Sequence, residues 1–320
     1  MSIFRPLTMA ALALCASAAH AAYPERPVRV VVGFSPGGPT DVVARAFASY
    51  ASQATGQTFV VENKPGANTI LAAEAVAKAA PDGYTLLVGA TNHTMIPALY
   101  SNRVKFDALQ SFTPVCAVAV SPTVLVVGPA LQVDSLGAFL AKVRAAPGRI
   151  TYATPGTGSS GHFATAEFLR LTHTSMNHIP YKGAAQVISD LMGGQIDSSF
   201  ATLGSVLPQV ASGKLTALAV AAPKRLPQLP QVPTFDEAGV QGYTADAWYG
   251  LLAPAGLPQD VRAKLEQVAR DFAKAPATAK SLDALGMQPR ETCGDAFHAQ
   301  LSGEIDTYRK LADELGLKAD

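Results

Sequence analysis

The chain has 320 residues, of which 48% are hydrophobic and 15% are charged, so its composition provides for a large core and excludes a disordered protein. Its 25 basic and 24 acidic residues give a formal charge of +1, which argues against binding nucleic acid through a dense cationic surface. Three cysteines are too few for a scaffold built on disulfides, and the length favours two domains over one.

The first 21 residues have the pattern of a secretory signal peptide. After a positively charged start, residues 7–19 are apolar and Ala19-His20-Ala21 forms a small-x-small cleavage signal. The apolar run is shorter than the roughly 20 residues that span a bilayer. We therefore predict export to the periplasm and cleavage near Ala21, with a retained anchor as the alternative. A lipoprotein signal at Cys15 is disfavoured, because Leu14 stands where such signals have Gly or Ala.

Short apolar strands alternate with amphipathic helices along the rest of the chain. The β-branched run 28–34 is typical of a buried parallel strand, and a helix with apolar residues at 3.6 spacing follows it. The pattern predicts further strands at 58–62, 86–89, 123–128, 149–154, 196–201 and 215–221. It predicts further helices at 69–80, from Ser135, from His162, at 184–193, from Pro258 and over a last long segment that carries Phe297 and Tyr308.

This alternation predicts an α/β protein in which mostly parallel sheets are flanked by helices. Clusters of Pro and Gly at 121–129 and 223–242 interrupt the pattern and are the candidate crossings between two lobes. We expect lobe one to comprise 22–121 plus 244–320 and lobe two to comprise 122–243. The ligand cleft is then expected between the lobes, at the carboxyl ends of their strands.

Two glycine-rich turns, each between a strand and a helix, are the candidate ligand-binding segments. The first runs from Phe34 to Asp41 and the second from Thr154 to His162. A helix N-terminus offers unpaired N–H groups and a partial positive charge, and glycines let a ligand approach the backbone closely. Either turn alone is equally consistent with a plain tight turn, but one such turn in each lobe favours a shared anion site.

Other chemistries fit the sequence less well. The second turn matches G-x-G-x-x-G from Gly156 to Gly161, but the acidic ribose ligand of a dinucleotide site, about 20 residues on, would fall near Tyr181. Neither Ser159 nor Ser160 has the two flanking glycines of a hydrolase nucleophile. The histidines lack the spacing of a zinc protease and no CxxC occurs, so we predict no metal and no cofactor.

Three side chains outside the two turns are further candidates for the cleft. His93 lies just beyond the strand that ends near Gly89, Lys182 lies in a third turn, and Asp197 begins a strand. Each has an ordinary structural alternative, namely a hydrogen-bonded histidine, a solvated lysine and a carboxylate that caps a turn.

Cys116 and Cys293 are the two cysteines that remain after signal cleavage. They could pair in an oxidising compartment. They lie 177 residues apart, and their spacing cannot show whether they are close in space, so the pairing stays open.

Seven short motifs, each weak by itself, occur in register along the chain. They are PERP at 24–27 leading into VVGF and the Pro-Gly-Gly turn, VENKPGA at 61–67, PDGYTL at 81–86, PYKG at 180–183, GGQID at 193–197, VPTFDEAG at 232–239 and WYGLLAP at 248–254. Together they resemble the Bug family, the periplasmic receptors of tripartite tricarboxylate transporters. Gly33 stands where the family usually has Pro, and Asn68 where it often has Gly.

The resemblance implies a type II-like, two-lobed periplasmic binding protein that is not an enzyme. Such a receptor closes on a small carboxylate (a di- or tricarboxylate, an amino acid or an aromatic acid) and delivers it to the permease subunits of a membrane transporter. We expect a monomer with no nucleic-acid partner. The alternatives are a ligand-sensing adaptor for a signalling partner and, less favoured, an exported enzyme that modifies carboxylates.

Carried over to this sequence, the resemblance assigns ligand contacts to both lobes. The residues in lobe one are Phe34, Ser35, Gly37, Gly38, Thr40, Asp41, Asn92 and His93. Those in lobe two are Thr154, Gly158, Ser159, Tyr181, Lys182, Gly183 and Asp197. The resemblance implies that backbone amides and ordered water hold the ligand, which agrees with the small number of charged side chains on these segments.

Overall fold

The computed structural model describes residues 23–100, 103–181, 183–243 and 245–317. The signal peptide predicted over residues 1–21 lies outside the described residues, and so does Lys182. Within the described ranges, no helix combines the length and the apolar character needed to cross a membrane.

Strands and helices alternate through most of the described chain. The strands are β1 (Val28–Val32), β2 (Phe59–Asn63), β3 (Thr85–Ala90), β4 (Phe112–Val127), β5 (Thr151–Thr154), β6 (Asn177–Pro180), β7 (Ser198–Thr202), β8 (Thr216–Val220), β9 (Asp246–Pro254) and β10 (Gln288–Cys293). The α-helices are α1 (Pro39–Thr55), α2 (Ile70–Ala77), α3 (Asn92–Tyr100), α4 (Leu136–Ala145), α5 (Ser160–Thr172), α6 (Ala184–Met192), α7 (Leu203–Ala211), α8 (Gln259–Lys274), α9 (Pro276–Asp283) and α10 (Asp295–Leu315).

The strands form two mixed sheets that share β4. In the first sheet β1 pairs in parallel with β2 and β3, while β9 lies antiparallel between β3 and β4, and β10 pairs with β4. In the second sheet β4 pairs antiparallel with β7 and β8, and β5 pairs in parallel with β6 and β7. The partners of β4 change between Pro122 and Thr123, so this one strand runs through both sheets.

Helices cover both faces of each sheet and bury a hydrophobic cluster on each face. On one face of the first sheet, Phe47 of α1 packs edge to face against Phe272 of α8, with ring centroids 5.6 Å apart. In the second, Phe168 of α5 packs against Phe200 of β7 with centroids 5.0 Å apart. The last helix, α10, touches both halves, because its Tyr308 packs on Phe163 of α5.

The predicted two-lobed α/β fold is confirmed, and its sheets are mixed because the strands that pass between the halves run antiparallel to their neighbours. The helices α3, α7 and α9 and the strands β6, β9 and β10 were not predicted as elements. Pro97 lies inside α3 and obscures its helical pattern. The strand β6 has only four residues, of which none is fully buried, so it carries little apolar signal.

Cys116 and Cys293 form a disulfide. Cys293 is the last residue of β10 and lies directly opposite Cys116 of β4 in the antiparallel register. The spacing in sequence could not show whether the two cysteines are close in space. The antiparallel pairing of β4 and β10 brings them together. The bond ties the C-terminal segment to the strand that both sheets share.

We predict that the double variant Cys116→Ala/Cys293→Ala loses about 2–4 kcal/mol of unfolding free energy, since the disulfide restricts a long loop of the unfolded chain. Urea unfolding followed by circular dichroism measures the loss. Reductant should destabilise the wild-type protein and leave the double variant unchanged. Equal unfolding midpoints for oxidised and reduced wild-type protein would contradict a stabilising disulfide.

Candidate functional site

The first predicted turn lies between β1 and α1 and exposes an uncapped helix N-terminus. Gly38 is the N-cap residue and no side chain hydrogen-bonds the cap, while Pro39 occupies the first helical position. The backbone N–H groups of Thr40 and Asp41 follow in the first turn of α1, where the helix itself supplies no acceptor. Ser35 and Gly37 are exposed on the same turn, and Gly37 has φ 86°, a conformation that favours glycine.

Asp41 organises this turn from inside and is only 2% exposed. Its Oδ2 accepts hydrogen bonds from the Gly37 N–H at 2.9 Å and from Arg45 Nε at 2.9 Å, and its Oδ1 accepts from Asn63 Nδ2 at 2.8 Å. Burial alone would raise the pKa of Asp41, but these hydrogen bonds and the charge of Arg45 outweigh it and lower the pKa. Because both carboxylate oxygens are engaged, Asp41 shapes the turn and does not offer a free ligand group.

Phe34 joins this turn to the core. Its side chain is half-buried against the hydrophobic cluster that contains Phe47, and its carbonyl oxygen accepts a hydrogen bond from Asn63 Nδ2 at 3.0 Å. Asn63 therefore bridges the two ends of the turn, through Phe34 on one side and Asp41 on the other.

The residues predicted at the start of α3, Asn92 and His93, are both buried. His93 Nε2 donates to the carbonyl of Ala108 at 2.7 Å, and its ring packs edge to face on Phe112 with centroids 4.9 Å apart. Burial lowers the pKa of His93 to about 4, so the side chain is neutral at pH 7. The structure thus corrects the expectation that His93 reaches the cleft, since its imidazole belongs to the core.

The second predicted turn lies between β5 and α5 and is built around two left-handed glycines. Gly156 has φ 145° and Gly158 has φ 78°. Ser159 is the N-cap of α5 and its hydroxyl accepts from the backbone N–H of His162 at 3.4 Å, while the Gly158 N–H donates to His162 Nδ1 at 3.1 Å. The backbone that leads into α5 therefore has conformations at Gly156 and Gly158 that favour glycine.

A stack of three aromatic rings packs against the second turn. The imidazoles of His162 and His178 lie nearly parallel with centroids 4.2 Å apart, and Tyr152 stacks on the far side of His178 at 4.8 Å. The fully buried Thr154 hydroxyl hydrogen-bonds His178 Nε2 at 2.8 Å. Thr154 consequently holds the stack and the turn together and presents no hydroxyl to a ligand.

Burial and the neighbouring His178 lower the pKa of His162 to about 4. A neutral ring is what the hydrogen bond from the Gly158 N–H requires, because protonated Nδ1 would no longer accept it. The geometry of the second turn therefore depends on an uncharged His162.

The third predicted turn contributes less than expected. The Tyr181 hydroxyl donates to Asp190 Oδ2 at 2.7 Å and so turns toward α6. Gly183 is the N-cap of α6, with no side chain hydrogen-bonded to that cap. Gly183 therefore leaves a second uncapped helix start besides that of α1, next to Lys182, which lies outside the described residues.

Asp197 lies at the far end of the second sheet from the turns. Its Oδ2 accepts from the backbone N–H and the hydroxyl of Thr151, at 2.7 and 2.8 Å. Thr151 begins β5 whereas Thr154 ends it, and three residues of strand span roughly 10 Å. The structure corrects the assignment of Asp197 to the ligand site, because its carboxylate ties the amino ends of β5 and β7 together.

The second turn contacts the first half of the chain directly. A Cβ on Gly158 would lie 2.6 Å from Leu99 Cδ1 and 3.5 Å from both Tyr100 Cε2 and Asn68 Nδ2. The Tyr100 hydroxyl also donates to the Thr157 carbonyl, at 3.4 Å. Asn68 was not predicted as a site residue, although an asparagine in a glycine-rich segment is a sign of left-handed backbone.

Among the residues that the structure describes, the two turns therefore present backbone and hydroxyl groups rather than charged side chains. Within the described ranges, no group of three His, Cys, Asp or Glu side chains is placed to hold a metal ion. Helix N-termini with unpaired N–H groups bind anions without a charged side chain. Binding of an anion is the chemistry that this arrangement supports.

The fold and the paired turns define a two-lobed α/β solute-binding protein. Residues 43–317 match the tripartite tricarboxylate transporter family receptor, TctC, and the chain belongs to this family. Its members are periplasmic. The Bug-family resemblance of the short motifs is thereby confirmed over most of the chain.

Proteins of similar sequence and structure align with this chain along nearly their whole length. Protein BugT of Bordetella pertussis is 33% identical over 297 residues, covering 92% of this chain and 91% of that protein. The structure of R. palustris Rpa4515 with adipate has a TM-score of 0.85 at 32% identity and covers 92% of this chain and 99% of that one. MatC from Rhodopseudomonas palustris with bound malate has a TM-score of 0.80 at 31% identity, with coverages of 90% and 99%.

We predict that His162 makes the protein acid-sensitive. Its folded pKa of about 4 lies below the unfolded value of 6.5. The stabilisation is therefore complete above pH 6.5 and is lost as the pH falls toward 4. Between pH 7.5 and pH 5 the wild type should lose about 2 kcal/mol more unfolding free energy than His162→Asn, whose side chain keeps an acceptor and does not titrate.

Urea unfolding at the two pH values measures this difference, and the exposed His298 provides the control. His298→Asn should follow the wild type at both pH values. Parallel losses in wild type and His162→Asn would show that His162 does not carry the pH dependence.

Proposed function

We propose that the protein is an extracytoplasmic receptor that binds a small carboxylate between its lobes and delivers it to the membrane permease of a tripartite tricarboxylate-type transporter. In this proposal the lobes are 22–121 plus 244–320 and 122–243, and the chain reaches the periplasm after cleavage near Ala21. Ligand binding selects the closed arrangement of the lobes, and the closed form is what the permease recognises.

The observation that carries the proposal is the meeting of two glycine-rich helix starts. The uncapped N-terminus of α1 belongs to one lobe and the turn around Gly158 to the other. A shared cleft is supported by the position of Gly158, whose Cβ would lie 3.5 Å from Asn68 Nδ2, because the next residue, Thr69, packs on Gly33 beside the first turn. A carboxylate held there receives N–H groups from two helices that only lobe closure brings together.

The proposed ligand contacts lie in the two turns and at the start of α6. In lobe one they are Ser35, Gly38 and Thr40, and in lobe two they are Ser159, Gly183 and Lys182. Gly37 and Gly158 shape the turns, because their backbone N–H groups already donate to Asp41 and His162. Phe34, Asp41, Thr154 and Tyr181 hold these segments in shape through the contacts described above, and Asn92 does so through Thr69.

The carboxylates of related proteins support the ligand class. Rpa4515 binds adipate and MatC binds malate, and both share the fold of this chain at more than 30% identity. A site that meets negative charge with backbone dipoles suits such ligands, because it neutralises carboxylates without a fixed cationic partner.

We predict that one class of carboxylate raises the melting temperature of the mature protein. The panel is adipate, malate, citrate, glutamate and benzoate, added after unfolding and refolding to remove co-purified ligand. A ligand at about 1,000 times its dissociation constant adds about 4 kcal/mol. Incubation with the stabilising ligand should leave it chemically unchanged, whereas no shift with any member would overturn the proposed function.

We predict that Gly158→Ala weakens binding of that carboxylate by about 10-fold, because the added methyl group would meet Leu99 and oppose closure. The substitution also strains the backbone at φ 78°. Gly213→Ala is the matched control, since Gly213 has φ 70° and nothing lies within 4 Å of its Cβ position.

Titration calorimetry of both variants separates the effect of the methyl group on lobe closure from the effect of backbone strain. Each variant should lose about 1 kcal/mol of unfolding free energy, and only Gly158→Ala should lose affinity. Equal affinities for the two variants would remove Gly158 from the closing contact.

A further inference from the structure

The segment between β2 and α2 contains a run of left-handed backbone that no glycine explains. Ala67, Asn68 and Thr69 have φ values of 46°, 50° and 72°, directly after Gly66 at 138°. Left-handed conformation is unfavourable for Ala67 and Thr69, Asn68 tolerates it as a single residue, and consecutive left-handed residues are rare. Such strain persists where the surroundings enforce it, and it is concentrated at ligand sites.

Two contacts hold this left-handed turn in place. Asn92 Nδ2 donates to the Thr69 hydroxyl at 2.7 Å and to the Asn68 carbonyl at 3.2 Å. Thr69 also packs on the end of β1, where a Cβ on Gly33 would lie only 2.5 Å from Thr69 Cβ. The turn is thereby fixed beside the first glycine-rich turn, which begins at the next residue, Phe34.

These contacts do not involve the side-chain amide of Asn68. Its Nδ2 is buried and finds no hydrogen-bond partner among the described residues. It lies 3.5 Å from the Cβ position of Gly158, on the opposite side of the cleft. A buried amide donor without an acceptor is unfavourable, so a group that supplies an acceptor there gains the full benefit of the hydrogen bond.

We propose that Asn68 is a specificity-determining ligand residue, whose Nδ2 donates a hydrogen bond to a carboxylate oxygen held between the two glycine-rich turns. The proposal rests on the carboxylate-receptor function proposed above. Hydrogen bonds to a charged acceptor are the strong ones, and an oxygen at this position touches both lobes at once. Asn68 therefore links recognition of the ligand to closure of the cleft.

The amide also defines which ligands fit. The neutral Nδ2 group can donate to a carboxylate or a hydroxyl oxygen at this position, and a ligand with only carbon there leaves the amide unpaired. Dicarboxylates and hydroxy acids, whose oxygens are distributed along the molecule, are thus favoured over acids with an apolar tail.

The test compares Asn68→Gly and Asn68→Asp with the wild type, using adipate and malate as probes together with any tighter binder from the panel. Glycine removes the amide and relaxes the left-handed backbone, so the melting temperature without ligand should not fall, while the affinity should drop about 10- to 100-fold. Aspartate replaces the donor with a negative charge of the same shape and should reduce the affinity further.

Gln132→Gly is the matched control, because Gln132 is an exposed residue with φ 53° outside the cleft. It should leave the affinity unchanged. If the wild type binds a carboxylate and Asn68→Gly binds it within 2-fold as tightly, the role of Asn68 is overturned while the receptor function stands. If the wild type binds no panel member, both proposals fall together.

Discussion

The continuity of β4 is the constraint on which the rest of the structure depends. Every residue of this 16-residue strand except Thr113 is buried, and its two halves belong to different sheets. Its side chains pack into clusters on both faces of the first sheet, so its register is fixed from both sides. The strand therefore connects the two sheets through continuous backbone, and the disulfide ties it to β10.

Charged groups around the two turns are mostly neutralised by one another or by burial. Asp41 is paired with Arg45, and His93 and His162 are uncharged. Side chains that are satisfied in this way organise the backbone and leave it as the main source of donors. Such a site is suited to reversible capture, because the ligand exchanges hydrogen bonds with water for hydrogen bonds with fixed dipoles without forming a buried ion pair.

The sequence predicted the fold and the two turns because hydrophobic periodicity and glycine clusters are local signals. It could not distinguish ligand groups from structural ones, since that distinction depends on long-range partners. Asp41 Oδ1 is engaged by Asn63, 22 positions away, and Asp197 Oδ2 by Thr151, 46 positions away. His93 was misplaced for the same reason, because the aromatic pocket of Phe106 and Phe112 follows it in the chain and carries no pattern of its own.

The two departures from the family pattern that the sequence displays are coupled in space. Gly33 leaves room for Thr69, whose Cβ would collide with any side chain at that position, and Thr69 is the neighbour of Asn68 in the left-handed turn. A residue with a Cβ at position 33 would push Thr69 away and would displace the amide of Asn68 with it. Gly33 and the left-handed turn beside it therefore form one local arrangement, and together they set the position of the Asn68 amide.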